Sequence, residues 1–155
     1  MLTLQEVMKE IEEKGGLTPA KKIRETAERF PDMVAMREKN FGIWEETTYS
    51  EYWEQAQWVG CALNYFGIDT QDSVAIHSEN RPEWFIADVG IQAIGAISVG
   101  LYPTNPPSEV EYLIGHSESK ILFAEDQEQV DKALEVLEQL PNLKKIIYFE
   151  PRGLT

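Results

Sequence analysis

Residues 73–125 run SVAIHS, ENRPEWFIADVGIQAIG, AISVGLYPTNP, PSEVEYLIGHSES and KILFAE, so that short apolar runs alternate with longer mixed segments. The apolar runs are bounded by Ser, Asn, Pro or charge, and the segments between them are long enough for the helical crossover that joins parallel strands. That reading predicts a βαβαβ core. The rhythm extends to DQEQVDKALEVLEQLPN, a further helical pattern, and KKIIYFE, a fourth run. Strand starts at Ser73, Ala96, Lys120 and Lys145 lie 23, 24 and 25 residues apart, which suits strand, loop, helix and return. The predicted fold class is α/β: a mainly parallel sheet, helices on both faces, over a βαβαβαβ core at 73–150.

Upstream, Thr3 and Glu6 fit a capping box for a short helix striped by Leu4, Val7, Met8 and Ile11 and ended by Gly15 and Gly16. A second helix begins at Thr18-Pro19, carries Ile23, Ala27 and Phe30, and stops at Pro31. Residues 33–37 and 43–49 read as two strands around the turn EKNFG, with Gly42 free to take a positive φ. Thr48 and Glu51 form another capping box and open a helix striped by Tyr52, Ala56, Val59, Leu63 and Phe66, closed by Gly67. The division predicted is residues 1–32 as N-terminal helices and 33–155 as the domain that carries the sheet.

The segment from Pro82 to Ile94 is apolar around almost its whole circumference, with only Glu83, Asp88 and Gln92 strongly polar. A helix covering one face of a sheet keeps a broad polar side, so this one is expected to be buried on both. Two covers are open: further polypeptide or a partner, or the N-terminal helices and hairpin.

Composition narrows the function classes. Hydrophobic residues are 43% and charged residues 26% of the 155, as in folded globular chains. Asp and Glu outnumber Lys and Arg by 27 to 14, a net charge of −13 that repels phosphate backbones, so nucleic acid is not an expected partner. No apolar run reaches the roughly 18 residues of a spanning helix, and the acidic start lacks the pattern of a secretory signal. Cys61 is the only cysteine, and a buried packing role is expected for it.

Phosphate-binding motifs are missing where the fold would place them. The loop after the first core strand, HSENRPEW, has no glycine, and no G-x-x-x-x-G-K-S/T occurs. His77 and His116 are far apart with no cysteine or second histidine near either, so structural roles are expected and no metal site is predicted. Arg81, at a strand's carboxyl end, has two readings, a surface salt bridge or a contact to an anionic ligand. Tyr102, Thr104 and Asn105 sit in a loop stiffened by Pro103, Pro106 and Pro107 at the same edge. These four residues are the candidate pocket edge.

TTYSEYWEQAQWVGCAL (47–63), NRPEW (80–84), YPTNPP (102–107) and HSESKILFAED (116–126) together resemble the start of AMP-forming long-chain acyl-CoA synthetases, within the acyl-adenylate-forming superfamily. The resemblance runs from about Phe30 onward. It departs at Gln71, where the family often has Gly before its Asp, and at Asn105, a variable loop position. It implies the N-terminal part of a fatty acid:CoA ligase using ATP, Mg²⁺ and CoA, in which residues 33–155 begin the AMP-binding N-terminal domain. It also implies the remainder of the same polypeptide as a partner, allows a homodimer, and suggests a cytoplasmic enzyme that can be peripheral to a membrane. The family's phosphate loop, Mg²⁺-associated Glu, ribose-binding Asp and C-terminal Lys do not occur in these residues, so no catalytic, cofactor or metal residue carries over and the segment alone is expected to be inactive. The alternative is a free-standing α/β interaction module.

Overall fold

The computed structural model describes Thr3, Gln5, Lys9, Glu13 and residues 16–153. Gln5, Lys9 and Glu13 are helical, whereas the Thr3/Glu6 capping box and the Leu4, Val7, Met8 and Ile11 stripe lie outside the described residues. Helix α1 (Pro19–Arg29) starts as its sequence dictates: Thr18 caps it by accepting from the Lys21 amide, and proline occupies the first turn. Ala20 and Ala27 are buried, while Phe30 caps the helix and is left 45% exposed. Strands β1 (Val34–Asn40) and β2 (Ile43–Thr48) form an antiparallel hairpin. The predicted five-residue turn is only two residues long. Phe41 and Gly42 take φ of 46° and 86°, the positive values of a turn whose twist matches the strands, so pairing continues to Asn40 and Ile43.

Helix α2 (Tyr49–Tyr65) shows the full capping box between Thr48 and Glu51. Its end is a Schellman turn, in which Gly67 at φ 81° donates to Asn64 O and Ile68 to Leu63 O. Four parallel strands follow: β3 (Ser73–His77), β4 (Ile97–Leu101), β5 (Ile121–Ala124) and β6 (Lys145–Tyr148), ordered β4-β3-β5-β6. Two begin one residue later than their sequence pattern implies. Helices α3 (Pro82–Ala93), α4 (Pro107–His116) and α5 (Gln127–Glu135) connect them, the last followed by a 3₁₀ turn at Leu137–Gln139 where a continuous helix was expected.

Strand alternation sorts the core into two layers. Val74 and Ile76 pack with Ile121, Phe123 and the α3 residues Ala87 and Ile91 on one face. Ala75 and Leu122 pack with Val110 and Ile114 of α4 and Ala133 of α5 on the other. The predicted doubly covered helix is real, and its second cover is internal: Ile86 and Val89, on the far side of α3, pack with Ala20 of α1 and Tyr52 and Ala56 of α2. Of the two covers left open by the sequence, the N-terminal helices and hairpin are the one observed. Gly60 of α2 and Gly90 of α3 permit the close approach, since a Cβ on Gly90 would lie 2.7 Å from Ala56 O. Cys61 is also corrected: it is exposed, because Ala56, Gly60 and Leu63 turn α2 inward on its opposite side.

Candidate functional site

In the order β4-β3-β5-β6, the connection leaving β3 runs toward β4 and the one leaving β5 runs toward β6, so the carboxyl ends of β3 and β5 flank a switch point. Open α/β sheets bind ligands at such a crevice. Here it holds side chains of its own. The Ser78 hydroxyl, 4% exposed, lies 3.1 Å from Glu125 Oε2 and 3.0 Å from the Glu79 carbonyl, with one proton to share between them. The Glu79 amide donates to the same Glu125 oxygen at 2.6 Å. Glu125 thus ties the end of β5 to the loop after β3.

Arg81 completes the cluster. Its Nε and Nη2 donate to the two Glu83 carboxylate oxygens at 2.8 and 3.1 Å, and Nη1 lies 3.6 Å from Glu125 Oε1. The hydrogen bonds it donates to Glu83 raise the guanidinium pKa against the effect of burial. Burial pushes the Glu83 carboxyl up, yet its bond to Arg81 brings it below the ordinary value. Of the two readings of Arg81, the salt bridge describes what the guanidinium does here.

Around these groups is a crevice of about 650 Å³ that also meets the hairpin. Seven carboxylates line it, from Glu38, Glu45, Glu79, Glu83, Glu125, Asp126 and Glu150, against three cations, Lys39, Arg81 and Arg152. Glu150 is held down to about 2, chiefly by its hydrogen bond from Arg152. Such a lining repels a triphosphate, and among the described residues no group of three or more His, Cys, Asp or Glu side chains is placed to hold a metal ion. These residues do not fit an ATP–Mg²⁺ site.

Tyr102, Thr104 and Asn105 stand on the other side of β3, after β4, and do not line the crevice. Tyr102 and Thr104 are exposed. The Asn105 amide bonds the Glu109 carboxylate, and the Asn105 backbone N–H donates to Tyr102 O at 2.9 Å. Lys132 Nζ pins the loop from α5 by donating to Pro103 O at 2.7 Å. Beneath it lies His77, with no accessible surface and both ring nitrogens without a hydrogen-bond partner. The Tyr102 and Pro103 carbonyls act on the ring without completing a hydrogen bond, and burial followed by the Lys132 charge lowers its pKa. His116 is exposed and stacks on Tyr112, 5.5 Å between centroids.

Sequence reasoning missed Glu125 and Lys132. The available signal for Glu125 was an acid directly after a buried strand, at the level where Ser78 follows β3 in the parallel register. Lys132 had none, because its target is a backbone carbonyl.

Residues 23–153 match the family described as AMP-binding enzyme. The long-chain-fatty-acid–CoA ligase ACSBG2 of Xenopus laevis is 35% identical over 127 residues, covering 82% of this chain and 17% of the relative. The ligase ACSBG1 of Bos taurus is 32% identical over 124 residues, 80% and 17% of the two chains. The ligase heimdall of Drosophila melanogaster is 31% identical over 128 residues, 80% and 19%. The chain thus spans less than a fifth of the length of these relatives. Among solved structures, the anthranilate CoA ligase AuaEII superposes with a TM-score of 0.78 at 23% identity, over 84% of this chain and 24% of that one. The acetoacetyl-CoA synthetase of Streptomyces lividans superposes at 0.79 with 20% identity, over 88% and 22%. At these identities the structures speak for the fold alone.

Proposed function

The chain belongs to the AMP-binding enzyme family, and on that premise we propose that it is the N-terminal portion of a long-chain fatty acid:CoA ligase, without catalysis of its own. On this reading residues 33–155 are the first part of the AMP-binding domain and residues 1–32 an N-terminal helical segment before it, of which α1 packs on α2 and α3. In the parent reaction a fatty carboxylate oxygen attacks the α-phosphorus of ATP and pyrophosphate leaves. The CoA sulfur then attacks the acyl carbon, AMP departs, and the thiol proton is released. Adenylation is needed because a carboxylate is a poor electrophile. ATP, Mg²⁺ and CoA serve the parent enzyme, and the remainder of its polypeptide is this segment's partner.

The observation that carries this reading is identity above 30% to several long-chain ligases along a segment whose switch-point crevice is lined by the paired Arg81, Glu83 and Glu125. What the segment supplies is the framework: a parallel sheet ending in two loops, after β3 and β4, that are held by side-chain bonds and available as one wall of a larger site. Titration calorimetry of the folded chain with ATP–Mg²⁺, and separately with CoA, tests it. No saturable heat is expected from either. Saturable ATP binding would give the segment a nucleotide site of its own and overturn the reading.

A further inference from the structure

His77 closes β3 with no accessible surface, and neither of its ring nitrogens has a hydrogen-bond partner. A buried imidazole in that state holds hydrogen-bonding capacity in reserve. The acceptors that act on it are the Tyr102 and Pro103 carbonyls of the loop after β4. Pro103 O is already engaged by Lys132 Nζ at 2.7 Å, and the same ammonium lies 2.6 Å from Glu128 Oε1. One carbonyl is therefore within the influence of two basic side chains, one on β3 and one on α5.

We propose that His77 and Lys132 form an acid-operated exchange latch: when His77 takes a proton from solvent, the imidazolium takes over the Pro103 carbonyl, Lys132 keeps only Glu128, and the loop passes from the grip of α5 to that of β3. Exposure decides which cation yields. A protonated His77 is a buried charge with the two loop carbonyls as its acceptors, and a buried charge without a partner is costly. The Lys132 side chain is 16% exposed and that of Glu128 69%, so the ammonium retains a carboxylate and reaches water once it lets go. Repulsion between the two cations acts in the same direction. Other acids near this end of the sheet are already engaged. Glu125, after β5, is bound by Ser78, the Glu79 amide and Arg81, and Glu109 of α4 by the Asn105 side chain. The Tyr102 phenol is exposed and carries no charge in acid. Burial and the Lys132 charge both disfavour the imidazolium, so the exchange runs below the ordinary 6.5. The latch belongs to β3, α5 and the loop between β4 and α4 and does not rest on the ligase reading, so failure of either leaves the other in place.

The test is an NMR titration of the full chain, isotopically labelled, from about pH 8 to about pH 5. Three signals are followed: the His77 ring nitrogens, the Lys132 side chain, and the Asn105 amide, which donates to Tyr102 O and so registers any movement of the loop carbonyls. All three are expected to change with one midpoint, below 6.5, while the rest of the spectrum stays folded. In His77→Leu the Lys132 and Asn105 transitions are expected to vanish. Lys132→Met removes both the competing donor and the like charge, and is expected to move the His77 midpoint upward. The Lys132 side chain already meets solvent, so this variant folds and decides the question independently of His77→Leu. Four outcomes overturn the proposal: His77 titrating while Lys132 stays unchanged, the Lys132 and Asn105 transitions surviving in His77→Leu, a His77 midpoint in Lys132→Met that stays put or falls, or unfolding of the whole chain in step with His77 protonation.

Discussion

His77 shows how much a single residue depends on what the fold brings to it. It ends β3 with no accessible surface, beneath the carbonyls of Tyr102 and Pro103 and near Lys132 and Glu128 of α5. Burial and the Lys132 charge both disfavour the imidazolium, so the folded pKa lies below the ordinary 6.5. The unfolded chain therefore binds a proton more readily than the native one. Linkage then gives the sign: the contribution to stability is fully present above about pH 6.5 and is lost as pH falls through the lower folded value. Urea-unfolding midpoints measured from about pH 8 down to about pH 5 are expected to fall at the acidic end, and less so in His77→Leu. That variant removes two unpartnered polar atoms at similar volume and is expected within about 1 kcal/mol of the parent at pH 7.5. Equal acid slopes in both proteins would place the titration elsewhere. Arg81 illustrates the other limit: its position at a strand's carboxyl end was legible, but Glu125 lies 46 residues from Glu79 and becomes a neighbour only through strand pairing.

At the scale of elements, α3 is decided by contact. Its apolar circumference announced two buried faces, and packing assigned one to the sheet and the other to α1 and α2. Gly90 lies where α2 and α3 come closest, and a Cβ there would stand 2.7 Å from both Ala56 O and Val59 Cβ. Gly90→Ala gains about 1 kcal/mol of helix propensity, but the obstruction includes a backbone carbonyl that cannot rotate away. Overpacking wins, with an expected net loss of about 1–3 kcal/mol in urea denaturation. Stability equal to or above the parent's would show that the two helices separate without cost. The caps at Thr18 and Thr48 and the Schellman turn at Gly67 were legible because each is a local rule, satisfied within a few residues. The hairpin turn was misjudged for a related reason: pairing can continue to Asn40 only if Phe41 accepts a positive φ, which residue type argues against.

For the whole molecule, charge is the dominant long-range term. A net −13 over 155 residues opposes compaction, and the pairs Lys22–Glu25, Arg24–Glu28 and Arg37–Glu46 are too exposed to offset it by much. Raising ionic strength from about 0.01 to 0.15 M shortens the screening length from about 30 to 8 Å, and the melting temperature is expected to rise. A fall would mean that the ion pairs outweigh the self-repulsion. The sequence by itself determined the alternation of strand and helix, the helix starts and the family, since periodicity, capping and motif are written in adjacent residues. Only the tertiary structure decided that α3 is covered from within, that Cys61 faces outward, and that Arg81 meets Glu125. Each of those depends on surfaces contributed by segments dozens of residues apart. Burial and pairing belong to the assembled layers, which no local stretch contains.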